Sequence, residues 1–323
     1  MNESSPAKVA MAAGAALVLA LVAVGFAVWS GPEEPAVAIQ APAEIDGPRL
    51  MLIRERHLAF AALADPGGSL QVSPVECVRA YAAGGTTVCL HQDSPWAYSL
   101  QTLDATLHRT RSFPIEGLPN RARVSPGGRL VAWTSFTGGD SYNGGQFSTR
   151  TGILDTSTGQ RVDSLESFSV LRDGRPYRNV DVNFWGVTFA ADENRFYATM
   201  ATAGRRYLVE GDFAARQVRT ITENVECPSL SPDGTRLAFK QAIDANPDNG
   251  WRLSVLDLAS LKVTALAETR SIDDQAAWIS DTAVAYTVRD SSGDPTVWST
   301  PADGGGTPAV LRRSAESPTG PVD

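Results

Sequence analysis

Three histidines and three cysteines are the scarcest reactive side chains of this 323-residue chain, and none sits at a spacing that points to catalysis. No two of His57, His91 and His108 stand at metal-ligand spacing. His57 and His108 fall in or near strand-like patterns and read as strand-surface residues. No Gly-x-Ser-x-Gly elbow is present to raise a serine nucleophile. No glycine-rich loop opens a helix that would cradle phosphate. The segment Ile243-Asp244-Ala245-Asn246-Pro247-Asp248-Asn249-Gly250 is rich in oxygen ligands but lacks the ligand spacing and terminal glutamate of a calcium loop, so it reads as a turn cluster. The expectation is a protein without catalytic residues, bound metal or cofactor. Only carboxylates brought together by the fold from distant positions escape this reading.

The cysteines suggest a structural bond. Cys77 and Cys89 flank the turn signal Gly84-Gly85. With a three-residue turn they share a face as diagonal neighbours, and with a one-residue slip they are directly opposite. A Cys77–Cys89 disulfide is feasible in an oxidising compartment if the Cα separation suits it. Cys227 is left over and is expected to be an inert, buried thiol that packs as a small hydrophobe.

Two long connections offer the best binding candidates. One runs from Ser135 to Gln146 through a glycine-rich stretch with Phe136 and Tyr142. The other runs from Ser167 to Asn183 and holds Arg172, Arg175, Tyr177 and Arg178. Long structured loops in compact domains often carry function, and arginine and tyrosine are favoured at binding hot spots. Local positive charge suits an acidic protein surface or an anionic polymer.

The elements that position these residues repeat along the chain. Leu230-Ser231-Pro232-Asp233-Gly234-Thr235-Arg236-Leu237-Ala238-Phe239 is a tight turn followed by an apolar strand. Weaker copies begin at Val124, Phe189, Ala82 and Trp278. Ahead of each copy lies a second hairpin whose turn starts with aspartate: Asp65, Asp104, Asp155, Asp212, Asp257 and Asp303, spaced by 39, 51, 57, 45 and 46 residues. Aspartate and glycine recur because a tight hairpin needs positive φ or a side chain that caps its own backbone, so these residues serve the fold. Repeats of this length are the mark of a β-propeller. Six outer hairpins stand against five complete inner ones. The missing inner pair is split between the ends: Ser314–Val322 as an innermost strand and Leu50–Ile53 as its neighbour. The prediction is an all-β, six-bladed propeller of four-stranded antiparallel blades over 49–323, its ring closed by pairing the termini.

The phrase Ser231-Pro232-Asp233-Gly234-Thr235-Arg236-Leu237-Ala238-Phe239, with aspartate-ended strands in the partner hairpins, resembles the WD-like repeat of TolB-type six-bladed propellers. The likeness covers nearly all of 49–323. It implies a non-catalytic exported interaction domain. The chain departs from that family in lacking its preceding α/β domain and in carrying an apolar N-terminal stretch instead.

That stretch, Val9–Trp29, is free of charge over 21 residues. At 1.5 Å per residue it reaches about 30 Å, enough for a bilayer core. The order expected is a short cytoplasmic tail (1–8), a transmembrane anchor (9–29), a proline-rich tether (30–48) and the propeller (49–323) outside the cytoplasm. Signal cleavage near Ala36-Val37-Ala38 or Ala41-Pro42-Ala43 is the alternative, although the apolar run exceeds the roughly 7–15 residues of a signal peptide. The net charge of -8 and the absence of a basic run exclude nucleic acid and make residues 9–29 the only membrane contact expected. The function expected is a binding module or scaffold for an envelope or cell-surface protein. The rival is a propeller enzyme of lyase, lactonase or quinoprotein type, acting on a sugar or small ligand in the central channel.

Overall fold

A computed structural model describes residues 47–138 and 148–322, which form six β-sheets. From axis to rim, blade 1 consists of Glu316–Val322, Arg49–Arg54, His57–Ala62 and Leu70–Glu76. Blade 2 is Arg79–Ala83, Thr86–Ser94, Ala97–Leu103 and Arg109–Ile115. Blade 3 is Leu118–Val124, Leu130–Thr137, Ser148–Asp155 and Arg161–Val162. Blade 4 is Asn183–Phe189, Arg195–Thr202, Arg205–Asp212 and Gln217–Glu223. Blade 5 is Glu226–Leu230, Arg236–Ala242, Trp251–Asp257 and Val263–Ala265. Blade 6 is Ala277–Ser280, Ala283–Arg289, Pro295–Pro301 and Ala309–Arg313. The ring closes as the split repeat predicts, with Arg49 opposite Val322 and Ile53 opposite Glu316 in an antiparallel pair.

The core is not one mass but six layers, one between each pair of neighbouring blades. The run Leu50-Met51-Leu52-Ile53 shows why. Successive strand side chains point to opposite faces. Leu50 and Leu52 therefore pack with Ala285 and Val297 of blade 6, while Met51 and Ile53 pack with Ala80 and Cys89 of blade 2. All four are at most 1% exposed. In blade 5, Leu237 and Phe239 face blade 4 while Ala238 faces blade 6. A strand buried on both faces must read as an unbroken apolar run.

Some of these layers leave no room for a side chain. A Cβ built on Gly211 would lie 2.1 Å from the Phe196 ring, which is fully buried on the paired strand. Gly211→Ala is expected to cost about 1–3 kcal/mol through overpacking. Urea unfolding reads this directly, and a loss below about 0.5 kcal/mol, the scale of a neutral surface change, would disprove it.

The recurrent aspartates do hold turns. Asp155 Oδ1 accepts from the Ser157 amide (2.9 Å), the Ser157 hydroxyl (2.6 Å) and the Thr158 amide (3.2 Å). Asp233 Oδ1 accepts from the Thr235 amide (3.0 Å) and from the hydroxyls of Thr235 (2.8 Å) and Ser231 (2.5 Å). For Asp155 burial opposes the charge, but Arg129 donating to Oδ2 (2.7 and 3.0 Å) together with the turn bonds holds the carboxyl well below the usual carboxylate range, and the Ser231 and Thr235 bonds do the same for Asp233. Neighbouring turns also interlock: Glu193 accepts from the Ser125 hydroxyl (2.5 Å) and the Gly127 amide (2.7 Å), joining blades 3 and 4.

Two expectations change. Ser167–Asn183 is not a loop: Ser169–Arg172 and Arg175–Tyr177 form a hairpin that adds to the rim of blade 4, making a six-stranded sheet. Its first strand pairs in parallel with Gln217–Glu223, and Val170 (8% exposed) joins the layer between blades 3 and 4. Asp173-Gly174, both at positive φ, make the tight turn. The disulfide geometry also differs. Cys77 lies two residues before the inner strand of blade 2, and Cys89 stands opposite Ala80, so the cysteines are neither a diagonal nor a direct cross-strand pair. The bond nevertheless forms, with a Cα separation of 5.4 Å. No helix among the described residues is long and apolar enough to cross a membrane, and residues 9–29 lie outside them.

Candidate functional site

Hairpin turns between first and second strands, and between third and fourth, occupy one end of the propeller. The opposite end carries the second-to-third-strand turns and the crossings from each rim to the next axis. This loop face is where the candidate residues converge.

Its longest described crossing without a strand of its own is Leu266–Ala276, from the rim of blade 5 to the axis of blade 6. Leu266 and Ile272 anchor it in the layer between those blades, each 1% exposed. Glu268 pins the segment further, accepting from the Arg270 amide (2.8 Å), Arg270 Nε (2.9 Å), Arg270 Nη2 (2.5 Å) and the Tyr286 hydroxyl (2.7 Å). Burial opposes the charge, yet the bonds from Arg270 and Tyr286 outweigh it and hold the Glu268 carboxyl at about 2. Arg270 also stacks on Trp298, its guanidinium carbon 3.9 Å from the ring centroid.

Beyond that anchor, residues 273–276 enter the axis and meet blade 3 on the opposite side of the ring. Arg123 Nη2 donates to the Ala276 carbonyl at 2.6 Å and its guanidinium lies 4.3 Å from the Tyr81 centroid. Arg121 Nη2 donates to the Asp273 carbonyl at 3.3 Å and stands 3.9 Å from Asp273 Oδ1. Gln275 Nε2 donates to the carbonyls of Val187 (3.1 Å) and Pro228 (2.8 Å), bridging blades 4 and 5. Asp274 accepts from the amides of Gln275 (2.9 Å) and Thr287 (3.0 Å). Side chains from several blades thus meet across the axis.

The charges here are densely buried. Arg121, Arg123 and Lys240 are 8%, 6% and 4% exposed. Lys240 Nζ donates to Asp273 Oδ1 at 2.5 Å, lies 3.8 Å from Glu226 Oε2 and sits 4.3 Å from the Trp251 centroid. Glu226 also contacts Arg206 closely. Burial pushes the Glu226 carboxyl up, against the pull of Lys240 and Arg206. Burial likewise lowers Arg123, which has only carbonyls and a ring as close partners. For Lys240 burial works against the charge, but Cys227, Asp273 and Glu226 nearby carry it upward. Arg79, beside them, bonds Glu316 (3.1 Å) and the Ser317 hydroxyl (3.2 Å). Cys227 is buried as expected, at 2% exposure, but its neighbours include the charged groups of Arg121 and Lys240. Such an array can hold an anion; among the described residues no group of three or more His, Cys, Asp or Glu is placed to hold a metal.

The residues favoured from sequence lie elsewhere. Arg172 and Tyr177 meet on the rim hairpin of blade 4, the guanidinium 5.2 Å from the Tyr177 centroid and 5.2 Å from that of Tyr207. The Tyr177 hydroxyl is shared with Thr202 Oγ1 at 2.9 Å, which gives this ring a structural role. Arg175 and Arg178 are exposed. Phe136 is half-buried in blade 3, opposite Leu118. Tyr142 lies outside the described residues. The axial cluster was missed, although Arg121-Ala122-Arg123-Val124 carries a signal: charge alternates with apolar residues on an innermost strand.

No protein-family model matches the chain, and no curated protein does. Solved structures do. TolB from Acinetobacter baumannii matches at TM-score 0.58 and 15% identity over 86% of this chain and 67% of its own. A chain from a crystal structure of the nidogen/laminin complex matches at TM-score 0.54 and 13% identity, over 84% of this chain and 98% of its own. At these identities the likeness establishes the six-bladed fold.

Proposed function

We propose that this propeller is a non-catalytic binding module for an envelope or cell-surface protein, displayed outside the cytoplasm and tethered by residues 9–29. The observation that carries the binding role is the distribution of exposed apolar side chains. Trp96 (93% exposed), Val180 (82%), Leu118 (55%) and Ile243 (39%) all lie on the loop face. Among the described residues only Leu261 projects from a hairpin turn at the other end, and Val72, Val263 and Val310 belong to rim strands. A tryptophan left in water on a second-to-third-strand turn is the kind of aromatic anchor that dominates protein interfaces. The Cys77–Cys89 bond supports an oxidising compartment. The fold shared with TolB, and with a chain crystallised in a protein–protein complex, agrees with this reading.

The test is crosslinking capture from membranes with the tagged full-length protein. Trp96→Ala is expected to reduce recovery of the captured partner by about 30-fold, the scale of a lost hot spot of about 2 kcal/mol, with no change in melting temperature. Equal recovery by wild type and variant would remove Trp96 from the interface. The second reading, a channel enzyme for a sugar or small ligand, draws on the axial charges. A turnover assay on carbohydrate and lactone panels that detects product would favour it instead.

A further inference from the structure

We propose that the axial end of the loop face is a carboxylate-binding site, and that the Asp273 side chain is its built-in occupant. This inference does not depend on a protein partner for the outer loops.

Arg121 and Lys240 are more than nine-tenths buried, yet the carboxylate they share belongs to a side chain that is 74% exposed. Asp273 therefore lies as a cap between two buried cations and solvent. Its hold is one-sided: Lys240 Nζ donates at 2.5 Å, while Arg121 Nη2 remains at 3.9 Å from the same oxygen. Arg121 has other donors to satisfy. Its Nη groups donate to the carbonyls of Asn120 (3.2 Å) and Asp273 (3.3 Å) and the guanidinium also meets the Cys227 thiol, but its buried Nε makes no hydrogen bond with the described residues. Arg123 beside it also has a buried Nε without a protein partner. The other local carboxylates are committed. Glu226 serves Arg206 and Lys240, Glu316 serves Arg79 and Arg289, and Asp274 accepts two backbone amides.

Buried cations deprived of their counter-charge are costly, so any anion able to replace the Asp273 carboxylate is strongly favoured. The segment can yield there and not at its root: Glu268 and Ile272 are buried at 2% and 1%, whereas Asp273 projects. Displacing Asp273 outward opens Lys240 and Arg121 to a carboxylate brought from outside. That group can belong to a free dicarboxylic acid or to an acidic side chain of a peptide; the shared chemistry is one carboxylate against an ammonium and a guanidinium.

The experiment uses the full-length protein and its Asp273→Ala variant, with succinate and a capped tetraglutamate peptide as probes. Binding is read by thermal shift and calorimetry at matched ionic strength. Removing the internal competitor is expected to tighten apparent affinity at least tenfold for one probe. Response to succinate identifies a free acid, and response to the peptide alone identifies an acidic chain. The gain is expected to vanish in Asp273→Ala/Lys240→Met. If Asp273→Ala is too unstable to purify folded, recovery of its near-ultraviolet dichroism on adding either probe supports the site. No gain or recovery with either probe overturns the proposal, as does equal recovery with chloride.

Discussion

Replacing both Cys77 and Cys89 by serine is expected to lower the melting temperature by about 6–12 °C. The bond closes a segment with a sequence separation of 12, for which chain-entropy reasoning gives about 3 kcal/mol. In a domain of this size each kcal/mol moves the midpoint by about 2–4 °C. Burial adds to the loss. Cys77 and Cys89 are 1% and 0% exposed within the layer between blades 1 and 2, so two serine hydroxyls would lie among Met51, Ile53, Leu58 and Leu103. Cys77 also stands where the chain leaves the rim of blade 1 for the axis of blade 2. The bond therefore ties a crossing to the second strand of its own blade. Thermal unfolding of the double variant measures the effect. A midpoint within about 1 °C of wild type would show that packing alone holds this crossing, against the usual 2–5 kcal/mol loss.

The second large effect concerns Glu268. Glu268→Gln is expected to cost about 1.5–3 kcal/mol, because it removes the charge of a buried carboxylate held by the partly exposed Arg270 and weakens the partner of the Tyr286 hydroxyl. Tyr286 is fully buried, and its hydroxyl donates to Glu268 at 2.7 Å beside Arg270. The same carboxylate gives a pH signature. The folded carboxyl titrates at about 2, below its ordinary 4.5. Its contribution is complete above about pH 4.5 and is lost as the pH falls through about 2. The stability difference between wild type and Glu268→Gln should therefore be widest above that window and narrow within it. A difference independent of pH between 2 and 4.5 would mean that the ionised carboxylate does not pin the segment.

The two substitutions probe features of unequal legibility. The blades were readable because their signals are local: Leu50–Ile53 is apolar on both faces of a strand, and Asp104, Asp155, Asp212, Asp257 and Asp303 cap turns within a few residues of themselves. Even the closing seam could be inferred, since an odd inner strand at each end had no other partner. The rim hairpin of blade 4 was obscured by length. Ser169–Arg172 and Arg175–Tyr177 are four and three residues long, too short for periodicity to register. Yet Asp173-Gly174 is a strong hairpin turn signal, and Pro176 fits only an edge strand, which is where it lies.

The axial cluster was illegible for a different reason. Arg123 and Ala276 are 153 positions apart, and Arg79 and Glu316 are 237 apart. No spacing rule spans such distances; only the closed ring brings the axis ends of blades 3 and 6 together, and the last strand beside blade 2. Lys240 illustrates the point. In sequence it follows Leu237-Ala238-Phe239 as an ordinary polar strand residue, whereas in the fold it is 4% exposed and faces two carboxylates. A buried lysine is rare unless paired, and its partners come from the innermost strand of its own blade and from a crossing 33 residues away.

The seam that joins Arg49–Arg54 to Glu316–Val322 also sets an order of events during biosynthesis. The first strand of the propeller to emerge from the ribosome must wait for the last. Blades 2 to 6 can assemble from contiguous stretches as they appear, but blade 1 stays one strand short from Glu76 until Glu316 is added. Throughout that interval Arg49–Arg54 presents an unpaired edge, open to mispairing with another nascent chain. A message truncated before Glu316 would leave that edge permanently exposed. The ring is thus its own check on translation: only a product carried through to its final strand can hide the edge that marks an unfinished one.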